Sequence, residues 1–291
     1  TIYDHNEVQR RLSMDNLLLL LKCIKMAAAE PENRENLYNS GVMEMTCELL
    51  KIELTPYEIL RLHIHANLIL LLSHMCNLSN QRTCFVAQSR LLPYMKEYLQ
   101  NESTLKLTAL AIIMPLYVSV NHIPGILDTL IEDGLIQLYL DNLSTPIWCV
   151  KAISALQHLL EKRYPQFIKI LLTESSLQKI REGIRNVNNE DATAITQKLT
   201  SMIRKSTEFT NRLIINDFKD VVIAKLNSTN SPRKGALVNA IFELLLSIFQ
   251  SKVPNAHYLK NDEIKDLITP FITSKNVKHQ ILATQLIQFF R

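Results

Sequence analysis

The stretch EDGLIQLYLDNLSTPIWCVKAISALQHLLEKR, Glu132 to Arg163, decides the fold. Its first part places Leu135, Leu138 and Leu143 on one side of a short helix that follows Gly134. Thr145 and Pro146 then read as a cap and a first-turn proline. The second part, Ile147–Lys162, carries Val150, Ile153 and Leu160 at helical spacing. A short helix and a long one, joined by a tight turn, form the unit.

Working outward, the same short pattern recurs as Val42, Met45, Leu50 and as Leu91, Tyr94, Leu99. It returns as Leu177 and Ile180, with Arg185 in the third position, then as Phe218, Val221, Leu226 and Ile264, Leu267, Ile272. Successive starts are 49, 44, 42, 41 and 46 residues apart. Armadillo and HEAT repeats run about 40–47 residues. Long apolar helices lie between the short ones: Asp15–Glu30, Tyr57–Asn77, Thr104–Val120, Asp191–Ser206, Pro232–Gln250 and Lys278–Phe290. Start signals accompany them, with Asp15, Thr55 before Pro56, Ser103 or Thr104, and Ser231 before Pro232 as caps. Two such helices cannot bury their faces alone, so each repeat must stack on the next. The expected fold is all-α, an armadillo/HEAT-like right-handed superhelical solenoid of about six to seven repeats. No linker divides it, so residues 1–291 read as a single armadillo-like repeat domain. With no initiator Met, the chain is expected to be a fragment of something longer, and a non-catalytic one given its lack of catalytic motifs.

Composition agrees. Five glycines and ten prolines in 291 residues leave little room for phosphate-binding loops, for turn-rich β architecture or for disorder. Five scattered cysteines, an odd number, read as reduced thiols and point to the cytoplasm. The apolar run Leu107–Val120 is shorter than the roughly 18 residues of a membrane span, so none is expected. Charge is uneven: residues 1–150 hold 11 Lys/Arg and 16 Asp/Glu, and residues 151–291 hold 21 and 12. The halves are therefore −5 and +9, too dilute for a nucleic-acid footprint but suited to an acidic partner.

No Gly-x-Gly-x-x-Gly, Gly-Lys-Ser/Thr, His-Arg-Asp or Asp-Phe-Gly occurs, which excludes kinase, P-loop and Rossmann chemistry in this chain. His63, His65, His74, Cys76 and Cys84 lack metal-ligand spacing and read as core or groove residues, and no cofactor is expected. A Cys/His enzyme stays as an alternative testable by thiol labelling of Cys84 and Cys149. Armadillo repeats line their concave surface with the long helix. There Lys151, Ser154 and His158 share a polar stripe, followed by Lys198 and Arg204, then Lys234, Asn239 and Glu243. These are the candidate partner-binding residues, against the plainer reading of a solvated face. Trp148 reads as a core anchor.

Leu91-Leu92-Pro93, Leu105-Lys106, Gly134-Leu135 and Pro146-Ile147-Trp148-Cys149-Val150, leading to Ala152 and Ala155, carry a resemblance. With a fainter echo at Asn211-Arg212-Leu213 and Lys234–Val238, they resemble the C-terminal armadillo region of the fungal septation-initiation and mitotic-exit network kinases. Plant MAP triple kinases of the epsilon class share that region. Ser154, Leu156 and His158 stand where the family has aromatic and acidic residues. The resemblance implies the non-catalytic part of a serine/threonine kinase that binds the GTP-loaded form of a small Ras-like GTPase. That contact would recruit the kinase to the spindle pole body for septation or mitotic exit. A peptide-binding armadillo adaptor unrelated to kinases is the alternative, set back by the lack of a Trp-x-x-x-Asn ladder. At the C-terminus, Ile281, Leu282, Leu286, Ile287, Phe289 and Phe290 exceed one helix face, so this end is expected to pack against a second copy as a homodimer or against further chain.

Overall fold

Helical periodicity without strand alternation becomes an all-α chain, here in a computed structural model that describes residues 5–52, 58–99, 104–120, 123–228 and 235–290. Backbone contacts divide it into two compact units, Thr1–Gly134 and Leu135–Arg291.

The first unit opens with α1 (His5–Ala29). Next come α2 (Arg34–Asn39), α3 (Val42–Lys51) and α4 (Glu58–Cys76), then α5 (Asn80–Gln88), α6 (Leu92–Leu99), α7 (Thr104–Ile113), α8 (Leu116–Val120) and α9 (Pro124–Glu132). The second unit holds α10 (Leu135–Asp141) and α11 (Cys149–Glu161), then α12 (Pro165–Leu171), α13 (Glu174–Asn186) and α14 (Asn189–Lys205). It continues with α15 (Thr207–Leu213), α16 (Phe218–Asn227) and α17 (Gly235–Gln250), and ends with a 3-10 turn Pro254–Leu259, α18 (Asp262–Ile268) and α19 (Val277–Ile287).

Each full repeat thus has three helices: a short first, a second that carries the recurring apolar triplet, and a long third. The expectation of two was incomplete. The missing first helices are α2, α5, α9, α12 and α15, of six to nine residues. Helices that short complete two turns or so, too few to stand out as a period. The triplets fall on α3, α6, α10, α13, α16 and α18 or, at Leu91, Leu143 and Ile272, just beyond their ends, and their leading residues Val42, Leu91, Leu135, Leu177, Phe218 and Ile264 are all buried. Arg185, in the interrupted position, is exposed and pairs with Asp217 at 2.9 Å.

Third helices stack on third helices. In the first unit α1 packs on α4 and α4 on α7; in the second α11 packs on α14, α14 on α17 and α17 on α19. Second helices follow the same order, α10 to α13 to α16 to α18. Several side-chain bonds between repeats share a sequence offset of 40 to 44 residues: Lys25 to Asn67, Arg90 to Asp133, Gln157 to Ser201, Arg212 to the Leu172 carbonyl and Asn255 to Asn211. Translation of one repeat onto the next is what such an offset means.

Several start signals resolve differently. Asp15 lies inside α1, ten residues beyond its start, and caps nothing. Thr145 and Pro146 do not open α11; the Thr145 carbonyl accepts from Trp148 N and Cys149 N, Ile147 turns at φ +72°, and the helix begins at Cys149. Pro115 divides the expected helix Thr104–Val120 into α7 and α8, since proline removes an interior donor. The caps Thr55, Ser103 and Ser231 lie outside the described residues.

Scarce glycine leaves its own trace. Gly41 and Gly134 take positive φ before α3 and α10. Elsewhere the chain turns through non-glycine residues, among them Leu78, Arg90, Arg163, Asn216 and Lys252. A left-handed L-residue costs roughly 1–2 kcal/mol, borne by the packing of the helices on either side. Gly183 serves closeness instead, because a Cβ there would lie 2.8 Å from Leu143 Cβ.

Within α4, Ile59–Cys76 is long and apolar enough by composition to cross a membrane, a segment longer than the one weighed in the sequence. Its Ile64, Leu68, Ile69, Leu71, Leu72 and Met75 are buried in the core between α1 and α7. At the chain's end Leu286 is fully buried, Phe289 stacks on Phe249 at 5.3 Å and Phe290 meets it edge-on at 5.7 Å, so much of the terminal apolar surface is covered by the chain itself. Only Val277 and Ile281 of α19 remain exposed large apolar residues.

The most buried charge is Arg181 of α13, 1% exposed, tied to Glu174 and, at 2.7 Å, to Asp217 at the start of α16. A buried guanidinium stripped of its anions is strongly unfavourable. Replacing Glu174 and Asp217 together by Ala is expected to lower unfolding stability by about 3–5 kcal/mol. Arg181→Met, which removes the charge with its anions left half-exposed, should cost clearly less; urea denaturation followed by circular dichroism measures both.

Candidate functional site

Third helices offer a surface where polar side chains of successive repeats meet in the second unit. On α11 the apolar side, Ala152, Ile153, Ala155, Leu156, Leu159 and Leu160, is buried. That leaves Lys151 exposed and Ser154, Gln157 and His158 half-buried on the opposite stripe, as the helical spacing requires. Lys198 is half-buried and Arg204 exposed on α14, and Asn239 is half-buried on α17. The candidates Lys151, Ser154, His158, Lys198, Arg204 and Asn239 therefore lie on three consecutively stacked helices. Lys234 lies outside the described residues.

Several of these side chains are already committed. Ser154 Oγ donates to the Val150 carbonyl at 2.7 Å. Lys151 Nζ sits 4.6 Å from the ring centroid of Trp148, a contact of the cation–π kind. Trp148 itself is buried, with no acceptor for its Nε1 among the described residues, as a core anchor would be. Arg204 Nε donates to Ser247 Oγ at 3.1 Å and so joins α14 to α17. Asn239 Oδ1 is buried without a donor among the described residues.

Sequence reading missed Gln157, Ser201 and Ser247, which link the stripe. Gln157 Nε2 donates to Glu161 Oε1 at 2.8 Å and to Ser201 Oγ at 3.2 Å, bridging α11 to α14. Ser247 Oγ passes a bond to the Glu243 carbonyl at 2.8 Å, and Glu243 pairs with Lys278 of α19 at 2.8 Å. The signal was present, since 157 to 201 and 204 to 247 differ by one repeat. The result is a polar ladder across four third helices, with cations on α11 and α14 and a carboxylate on α17.

The histidines and cysteines of the first unit do not assemble. His63 is exposed, whereas His65 is buried, its Nδ1 2.5 Å from Tyr98 Oη. Among the described residues no three His, Cys, Asp or Glu side chains gather closely enough to hold a metal ion. Burial pushes Cys47 to about 11 and Cys76 to about 12, and raises Cys84 and Cys149 as well. That direction is opposite to the one that activates a thiol nucleophile. Burial, then the neighbouring Arg61 charge, holds His65 below the usual imidazole range; His74 is lowered by burial, Arg34 and Lys25.

No family model matches the chain. It is 22% identical over 232 residues to MAP3K epsilon protein kinase 2 of Arabidopsis thaliana, a match covering 78% of this chain and 16% of that protein. To MAP3K epsilon protein kinase 1 of the same organism it is 21% identical over 233 residues, with the same coverage. The chain thus spans about a sixth of the length of these curated relatives. A computationally designed armadillo repeat protein for modular peptide recognition superposes with a TM-score of 0.60 at 13% identity, covering 85% of this chain and 99% of that one. A designed armadillo repeat protein in complex with the peptide (KR)4 gives 0.57 at 13%, covering 85% and 98%. These likenesses establish the armadillo type of all-α solenoid.

Two outcomes follow. Because the folded state keeps His65 and His74 neutral where the unfolded chain binds protons below about pH 6.5, stability should fall as pH drops through that value. His65→Phe should flatten the fall, read from urea midpoints at pH 7.5 and 5.5. A double-mutant cycle on Arg204→Ala and Ser247→Ala should return a coupling of about 0.5–1 kcal/mol, which would establish Arg204 as a link between repeats.

Proposed function

We propose that the chain is the protein-binding module of a septation or mitotic-exit signalling kinase related to the MAP3K epsilon class. In this reading it binds the GTP-loaded form of a small Ras-like GTPase and recruits the kinase to the spindle pole body. The observation that carries it is the 22% identity spread over 78% of the chain, a length no single shared helix could supply. Two further points support it. The armadillo fold presents stacked helix faces suited to a protein partner, and no catalytic motif occurs in the sequence.

Switch loops of such GTPases are ordered by the γ-phosphate, so an effector surface discriminates the two nucleotide states. A peptide-binding adaptor is the second reading, favoured by the fold shared with designed peptide binders. The cations Lys151, Lys198 and Arg204 on the third-helix stripe would select an acidic peptide rather than the basic (KR)4.

The experiment is retention of the septation or mitotic-exit GTPase on the immobilised chain after loading with a non-hydrolysable GTP analogue or with GDP. Preferential retention of the GTP form, weakened severalfold by Lys151→Glu with Lys198→Glu, is the expected result. Equal retention of both forms, or of neither, overturns the GTPase reading.

A further inference from the structure

In the second unit the third helices α11, α14 and α17 end on the same edge, and cations follow or close each of these three. After α11 come Lys162 and Arg163, α14 finishes on Arg204 and Lys205, and α17 is followed by Ser251 and Lys252. Lys162, Arg163, Lys205 and Lys252 are exposed, and none makes an ion pair among the described residues. The repeat offset aligns these ends, because Gln157 meets Ser201 and Arg204 meets Ser247 across adjacent helices. In the first unit the corresponding ends carry Glu30 after α1 and Asn77-Leu78 after α4, with no cation. The +9 of the sequence's second half therefore has a local address.

Cations at helix C-termini also answer the helix dipole, which would account for one per end. Two features exceed that role. The end of α11 carries two exposed cations, and two of the edge's cations occupy left-handed backbone, Arg163 at φ +56° and Lys252 at φ +54°. Glycine is the residue such a helix-ending position favours. Leu78 takes the same left-handed backbone after α4, so the turn recurs between units and what is particular to the second unit is the charge placed on it.

We infer that this edge is a docking surface for an extended acidic segment of a protein partner. Adjacent packed helices lie about 8–10 Å apart. An extended chain advances about 3.3 Å per residue, so carboxylates at every third residue meet successive helix ends. The surface lies at the ends of the third helices, apart from the polar stripe along their faces, and stands whether or not the kinase reading holds.

The test uses the full chain with a fluorescein-labelled peptide of four Glu-Ser-Gly repeats and its Gln-Ser-Gly counterpart, followed by anisotropy. The Glu peptide should bind with an affinity that falls as salt rises, and the Gln peptide should not bind. Lys162→Glu with Lys205→Glu should weaken binding at least tenfold, while Lys219→Glu with Lys265→Glu, the same charge change on the second helices, should change it less than twofold. Arg163→Gly with Lys252→Gly separates binding from folding: relief of the left-handed backbone should hold or raise the thermal midpoint while affinity drops severalfold. A purely structural role would leave affinity unchanged in that variant and would overturn the proposal. So would equal binding of the two peptides, binding of neither, or an equal loss in the second-helix control. Capture of phosphatidylserine vesicles with no affinity for the Glu peptide would likewise overturn it, in favour of a membrane surface.

Discussion

A third helix cannot stand alone. In α17, Leu237, Val238, Ile241, Phe242, Leu244, Leu245, Ile248 and Phe249 are all buried, an apolar circumference too wide for one neighbour to cover. It needs α14 on one side and α19 on the other. Everything else in the unit follows from that demand. Second helices align because third helices do, and polar bonds between repeats keep an offset of about one repeat because the stack is a translation.

That constraint also fixes where chemistry can and cannot occur. Faces turned toward a neighbouring repeat must be apolar, so thiols and histidines that fall there are buried, and burial holds the thiols protonated and the imidazoles neutral. Polar chemistry is left to the outward faces of the helices, among them the stripe of each third helix that faces neither neighbour, and to the helix ends. A fold of this type offers broad, repetitive surfaces rather than a pocket. Recognition on it is a matter of spacing and charge.

In the second unit the repeat geometry supplies partners for two buried charges. Arg181 is enclosed, yet Glu174 on its own helix and Asp217 before the next second helix both reach it. Lys225, whose charge burial disfavours, donates to the Val187 carbonyl one repeat back at 2.7 Å. Both residues bridge repeats with polar bonds while apolar packing does the bulk of the stabilisation.

Sequence by itself determined the class, the period and the core. Triplets such as Leu135, Leu138, Leu143 are dictated by a 3.6-residue period on a buried face, and their recurrence near 40–50 residues is a property of the chain alone. The stripe of Lys151, Ser154 and His158 was legible for the same reason. Tertiary structure decided what periodicity is blind to. First helices of six to nine residues form because their neighbours hold them. The turn at Thr145–Trp148 replaces a helix start because Ile147 is held in left-handed backbone. The ladder through Gln157, Ser201, Arg204 and Ser247 joins residues 43 or 44 positions apart, and only the stack sets which polar side chains face one another. The terminal phenylalanines look surplus in one dimension because the sequence does not show that Phe249, forty residues earlier, waits to cover them.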